Sequence, residues 1–326
     1  MKLPHRRQFL HLATSAAALA AVSRTARAQA YPMRPVRIVV GFAPGGPNDI
    51  NARLIGQWLS ERLGQQFIID NRPGASGNIA MESVVKSPPD GYTLVMVATS
   101  SAANATLYDN LPFNFLRDIA PVGGINRTYY VMLVHPSVLA KTGAELLALA
   151  MGNPGKLNMA SPGSGTGAHL ASELFRLMTG TSMVHVPYRG SGPMLAGLLG
   201  GQVQFAFDTI FSCIEHIRSG GLRALGVSTV TRSELLPDVP AVAEFVPGFE
   251  ASTWFGVGAP KNTPPAVIDK LNREINAGLA DPKMRAQIAD LGGTVLAGSP
   301  AEFGKLVADE TEKWSKVIRA ANIKPE

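Results

Sequence analysis

Arg37-Ile38-Val39-Val40 runs directly into Gly41-Phe42-Ala43-Pro44-Gly45-Gly46-Pro47-Asn48, and Leu157-Asn158-Met159-Ala160 runs into Ser161-Pro162-Gly163-Ser164-Gly165-Thr166-Gly167. Each unit is a short apolar strand, a glycine-rich turn and a helical pattern. After the first, Ile50, Leu54, Ile55, Trp58, Leu59 and Leu63 recur at helical spacing and stop at Gly64; after the second, a helix is predicted over Ala168 to Met178. Further apolar runs at Phe67 to Ile69, Thr93 to Val97, Tyr129 to Val134, Met183 to Val186, Val203 to Phe207 and Ala224 to Val227 alternate with helical patterns. Such alternation predicts an α/β protein with mostly parallel sheets and crossover helices. Open α/β sheets bind ligands at the carboxyl ends of their strands, so two such units predict two lobes facing one cleft.

The C-terminal part reads as helical. Val267, Leu271, Ile275 and Leu279 make one stripe, and Phe303, Leu306, Val307, Trp314, Val317 and Ile318 another, which Ser299, Pro300 and Glu302 start as a capping box. These helices are expected to return to the first lobe.

The first thirty residues read as an export signal. Lys2, Arg6 and Arg7 precede an apolar and small-residue run from Phe9 to Val22 that is too short to span a bilayer. The arginine pair before Gln8-Phe9-Leu10 fits the twin-arginine type, and Ala28-Gln29-Ala30 places cleavage near Ala30. The formal charge of +6 mostly belongs to this segment: it holds five of the 30 Lys and Arg and none of the 24 acids, leaving 25 against 24, a balance of +1. A nucleic-acid partner is therefore not implied. Cys213 is the one cysteine, so no intramolecular disulfide forms in an oxidising compartment. The remaining 296 residues suit two domains and a soluble periplasmic product.

The glycine loops bring backbone close to a ligand, and the N–H groups of the helix that follows favour an anion. A tight turn with no ligand explains the same glycines equally well. Gly163-x-Gly165-x-x-Ala168 also matches a dinucleotide fingerprint, yet His185-Val186-Pro187-Tyr188-Arg189-Gly190 offers no acid for a ribose, which disfavours NAD and leaves NADP only through Arg189. No phosphate loop or nucleophile elbow is present. His135, His169, His185 and His216 lack metal-ligand spacing. Ser164, His169 and Asp208 compose an imaginable triad that no spacing demands, and Asp49 is explained by an i,i+4 pair with Arg53. No cofactor, metal or catalytic residue is expected.

Five phrases, taken in order, resemble the Bug family, the extracytoplasmic solute receptors of tripartite tricarboxylate transporters. They are Phe42-Ala43-Pro44-Gly45-Gly46-Pro47-Asn48-Asp49 with Ala52-Arg53; Asp70-Asn71-Arg72-Pro73-Gly74-Ala75-Ser76-Gly77-Asn78-Ile79; Pro89-Asp90-Gly91-Tyr92-Thr93-Leu94; His185-Val186-Pro187-Tyr188-Arg189-Gly190; and Leu236-Pro237-Asp238-Val239-Pro240. The resemblance implies a two-lobed, type II-like periplasmic binding protein, monomeric, that captures a small organic carboxylate for membrane transporter subunits. Matched by motif, its pocket involves Phe42, Gly46, Asp49, Ser76, Asn78, Ser100, Ser164, Thr166, His169 and Asp208, with Asp208 orienting water or a loop because it would repel an anion. Ala43 stands where a second proline is frequent. Hinges are expected near Arg127 to Val131 and Ala251 to Gly256, giving lobes of residues 31–127 plus 256–326 and 128–255. Phe42, Phe207, Ile210 and Phe211 suggest an apolar wall. A ligand-sensing partner of a signalling receptor would share this fold and pocket, and an NADP-dependent or hydrolytic enzyme is the remaining alternative.

Overall fold

The computed structural model describes residues 31–108 and 110–325. The export signal read in residues 1–30 lies outside the described residues. The first sheet begins with β1 (Val36–Val40), which pairs in parallel with β2 (Phe67–Asn71) and β3 (Thr93–Ala98). Their crossover α1 (Pro47–Leu63) opens on Pro47, whose missing N–H costs nothing there, and closes at Gly64 in the left-handed region. Its Ile55 and Leu59 are fully buried with Ile38 and Leu94, while Val39, one residue along β1, faces a second cluster with Val95 and Val97. That alternation is the period of two that a strand imposes. α2 (Asn78–Val85) and α3 (Thr99–Leu107) complete this side.

The chain crosses once outward and once back. After α4 (Phe115–Asp118), β4 (Ile119–Val134) pairs antiparallel with β9 (Ser252–Pro260) as far as Tyr129, and from Tyr130 with β7 (Phe205–Thr209). Its last residues also pair with β8 (Arg223–Val227). The second sheet adds β5 (Asn158–Ser161), parallel to β7 and to β6 (Val184–Pro187). α5 (Gly143–Gly152), α6 (Gly167–Thr179), α7 (Ser191–Leu199) and α8 (Ile210–Arg218) flank it. The expected parallel pairing is thus found in β2-β1-β3 and β6-β5-β7, and the crossing strands add antiparallel partners because each enters its sheet from the other lobe. Ser228 ties the crossings together: its Oγ accepts from Tyr130 N–H at 2.8 Å and donates to Ala251 O at 2.6 Å.

Phe175, Phe205, Phe207 and Phe249 make the second core, with ring centroids 5.5 to 6.2 Å apart. Burying each such ring stabilises the lobe by about 1.5–3 kcal/mol. The expectation that Phe207, Ile210 and Phe211 wall a ligand is corrected here: all three are buried in this lobe and none lines the interlobe cavity described below. Cys213 is buried as well, and burial pushes its thiol well up.

The last segment folds back on the first lobe. α9 (Pro265–Ala280) buries Leu271, Ile275 and Leu279 there, followed by α10 (Pro282–Asp290) and β10 (Gly293–Val295), which pairs with β4. α11 (Pro300–Ala320) starts at the Ser299–Glu302 capping box and sets Trp314 and Ile318 among Ala103 and Leu107 of α3 and Leu170 of α6. It therefore touches both lobes.

Candidate functional site

A cavity lies between the lobes. Its wall is built from the starts of five helices: Gly46, Pro47 and Asn48 at α1, Ala98 and Ser100 at α3, Thr166 to Ala168 at α6, Ser191 at α7, and Thr209 at α8. Helix N-termini carry unpaired N–H groups and a partial positive charge, so the cavity favours an anion although no Lys, Arg or His lines it. Phe42, Phe255 and Tyr130 supply apolar surface.

The lobes touch around this cavity. A methyl placed on Gly190 of the second lobe would lie 3.4 Å from Ala43 N of the first, and one on Gly165 would meet Leu107 at 2.6 Å. The side chains missing at Gly165 and Gly190, which also have φ of +77° and +123°, are what let the two backbones approach.

The residues matched from sequence occupy different places. Phe42, Gly46, Ser100, Thr166 and Asp208 line the cavity. Ser76 and Asn78 line a neighbouring pocket that shares Phe42, Asn48 and Ser100 with it. Ser76 adopts φ of +51°, an uncommon conformation for a residue with a side chain, and Asn104 Nδ2 donates to its carbonyl at 3.0 Å and to Asn78 Oδ1 at 2.9 Å. Asp49, Ser164 and His169 are buried outside these walls.

Asp49 shapes the first loop. Its Oδ2 accepts from Gly45 N–H at 3.0 Å and from Arg53 Nε at 2.8 Å, and its Oδ1 from Arg53 Nη2 at 2.9 Å. Burial works against its charge, but Arg53, Gly45 and Asn71 outweigh that and hold the carboxyl below its ordinary value. The i,i+4 pair expected from sequence is present.

His169 and Thr166 shape the second loop. Thr166 Oγ1 donates to Gly163 O at 2.7 Å and accepts from His169 N–H, while His169 Nδ1 accepts from Gly165 N–H at 3.0 Å. The His169 ring stacks on His185 with centroids 3.9 Å apart, and His185 is held to Ser161 Oγ at 2.6 Å. Burial, with the field of His169, lowers His185 to about 3, so it stays neutral. His169 is engaged by Gly165 and faces Glu173, whereas Asp208 is engaged by Ser191 and Thr209, so the histidine–aspartate bond of a catalytic relay is not formed. Among the described residues no group of His, Cys, Asp and Glu could hold a metal ion.

Wall residues not among the site residues expected from sequence include Asn48, Tyr130, Ser191, Thr253 and Phe255. Ser191 was findable, because Val184 to Ser191 is a third strand, turn and helix start. Tyr130, Thr253 and Phe255 sit on the crossing strands and read as core.

The family described as the tripartite tricarboxylate transporter family receptor matches residues 51–323. The chain belongs to this receptor family. The Bug resemblance holds in the relatives: Protein BugT of Bordetella pertussis is 37% identical over 310 residues, covering 94% of this chain and 95% of that protein. Among solved structures, R. palustris Rpa4515 with adipate is 37% identical with a TM-score of 0.88, covering 91% of this chain and all of that one. MatC (Rpa3494) from Rhodopseudomonas palustris with bound malate is 31% identical with a TM-score of 0.84, covering 88% of this chain and all of that one. The receptor is thus similar to these proteins along nearly its whole described length. No helix among the described residues is long and apolar enough to cross a membrane.

Proposed function

We propose that this receptor closes its lobes around a carboxylate group of a small organic acid in the periplasm and presents the closed form to membrane subunits of a tripartite tricarboxylate transporter. The convergence of five helix starts on one interlobe cavity without a basic side chain carries this reading. The adipate and malate held by its relatives support it. Phe42, Gly46, Ser100, Thr166 and Asp208 contact the ligand or its waters; Ser76 and Asn78 extend the site into the neighbouring pocket; Asp49, Ser164 and His169 hold the loops. The lobes are residues 31–127 with 256–326, and 128–255, hinged where β4 exchanges β9 for β7. The receptor acts as a monomer without catalysis or a cofactor, binding energy serving only to populate the closed state.

Thermal-shift screening of the mature protein against mono-, di- and tricarboxylic acids tests the reading. An acid present at about 1,000 times its Kd stabilises by roughly 4 kcal/mol, which is a rise of several degrees at this size. Stabilisation by NADPH and by none of the acids would overturn it.

A further inference from the structure

Asp208 is the one ionisable carboxyl on the cavity wall, and it sits where an anion is expected. Its Oδ1 accepts from Ser191 Oγ–H at 2.9 Å and from Thr209 N–H at 2.8 Å. Its Oδ2 is buried and has no hydrogen-bond partner among the described residues. A buried oxygen left so is costly unless something pairs with it. A ligand carboxylate cannot donate to it, and two carboxylates in one water-poor cavity do not both stay ionised. A proton on Oδ2 resolves both conflicts, because Asp208 then becomes a donor to the ligand while Oδ1 keeps its two bonds.

We propose that Asp208 meets the ligand carboxylate as a carboxylic acid, so that capture by a receptor whose Asp208 is ionised takes up one proton from solvent. The proposal rests on the carboxylate reading above and replaces the expectation that Asp208 only orients water. The proton forms an O–H bond at Oδ2, which then donates to a ligand oxygen; nothing else is bonded or released.

The surroundings of Asp208 make the exchange feasible near neutral pH. Burial pushes its carboxyl up to about 7, with the Ser191 and Thr209 bonds pulling back. Tyr130 on β4 and Cys213 on α8 are the titratable groups that feel its charge, and burial raises both, so they are neutral at pH 7. α7 and β5 carry no ionisable side chain. On α6, Glu173 is paired with Arg176 and faces His169. Glu215, His216 and Arg218 lie further along α8. From the first lobe, Asp49 and Arg53 pair with each other.

Calorimetric titrations of wild type and Asp208→Asn with adipate, malate, citrate and benzoate, in phosphate and in Tris at pH 8 and in phosphate and in bis-Tris at pH 6, test this. For an acid that binds, wild type should take up about 0.9 proton at pH 8 and about 0.1 at pH 6, and its affinity should fall as pH rises above about 7. Asp208→Asn, which presents a fixed N–H donor, should bind with no proton uptake and with an affinity independent of pH. Buffer-independent heats for wild type at pH 8, or loss of binding in a folded Asp208→Asn, would overturn the proposal while leaving carboxylate capture intact. Failure of all four acids to bind either protein would sink the carboxylate reading, and this inference with it. The unliganded proteins give a second readout. Because the folded value of Asp208 lies above its unfolded one, wild type should lose melting temperature relative to Asp208→Asn as pH rises from about 4 to about 7. A constant difference across that window would also overturn the proposal.

Discussion

Replacing Gly46 separates a loop that merely turns from one that closes on a ligand. Gly46 caps α1 with φ of −85° and ψ of 170°, an extended conformation that a β-branched residue adopts readily, so the backbone does not object to valine. A Cβ there would lie 3.7 Å from Ala43 O and 3.8 Å from Ser191 Cβ and N, which is ordinary contact. Ser191 belongs to the opposite lobe, and a γ-methyl reaches about 1.5 Å beyond Cβ, inside the contact distance of that residue. Gly46→Ala should therefore close normally, whereas Gly46→Val should prop the lobes apart. With a carboxylate that stabilises wild type by roughly 4 kcal/mol at 1,000 times its Kd, Gly46→Ala should keep most of the shift in melting temperature and Gly46→Val should show none. Unliganded, both variants should melt within about 1 kcal/mol of wild type, because the open form is free of the clash. Normal binding by a folded Gly46→Val would refute the placing of this loop at a closing interface.

Gly167 should behave oppositely. A Cβ there would lie 1.9 Å from Tyr130 Oη within the second lobe, and Tyr130 is fully buried, so Gly167→Ala should lower the unliganded melting temperature by several degrees, as overpacking by about 1–3 kcal/mol implies. Adding Tyr130→Phe should recover most of that loss, and no recovery in the double variant would refute the clash. Arg53→Gln should move acid unfolding to higher pH, since Asp49 with its folded value depressed contributes stability above its unfolded value that is lost as pH falls through the folded one; circular dichroism against pH reads the midpoint, and an unmoved midpoint counts against the pairing. Replacing Arg6 and Arg7 by Lys should leave precursor in the cytoplasm on fractionation; undiminished periplasmic protein would mean a general secretory signal.

Parallel strands such as Val36–Val40 were legible because a run rich in β-branched residues stops at glycine. The crossing strands were legible only in Tyr129 to Val134, the end of β4. In the first half of β4, Pro121, Gly123 and Gly124 interrupt the apolar pattern and coincide with shifts of register against β9, and Asn126, fully buried, is spent on a hydrogen bond to Asn51. β9 itself, Ser252–Pro260, falls where a hinge was expected, because Gly256 and Gly258 mimic loop composition. Both glycines are packing requirements: a Cβ on Gly256 would meet Phe303 at 2.2 Å, and one on Gly258 would meet Ile119 at 2.6 Å. Local composition reports what a segment does by itself, and these segments are strands only because the other lobe and the C-terminal helix press on them.

The same distinction explains which part of the site could be read. Gly46, Ser100 and Thr166, which the family resemblance implied, sit in loops that follow a strand and open a helix, and they line the cavity. Tyr130, Thr253 and Phe255 belong to the cavity only because β4 and β9 run beneath it, and their residue types are those of any core strand. Asp208 stands between the two cases. The resemblance gave it as orienting water or a loop, but its role depends on which oxygen is occupied, and that requires Ser191 and Thr209 in place. An acid among five positive helix ends first suggests a charge to be neutralised by them; with Oδ1 already satisfied and Oδ2 buried without a partner, the economical state in the presence of an anionic ligand is the protonated one.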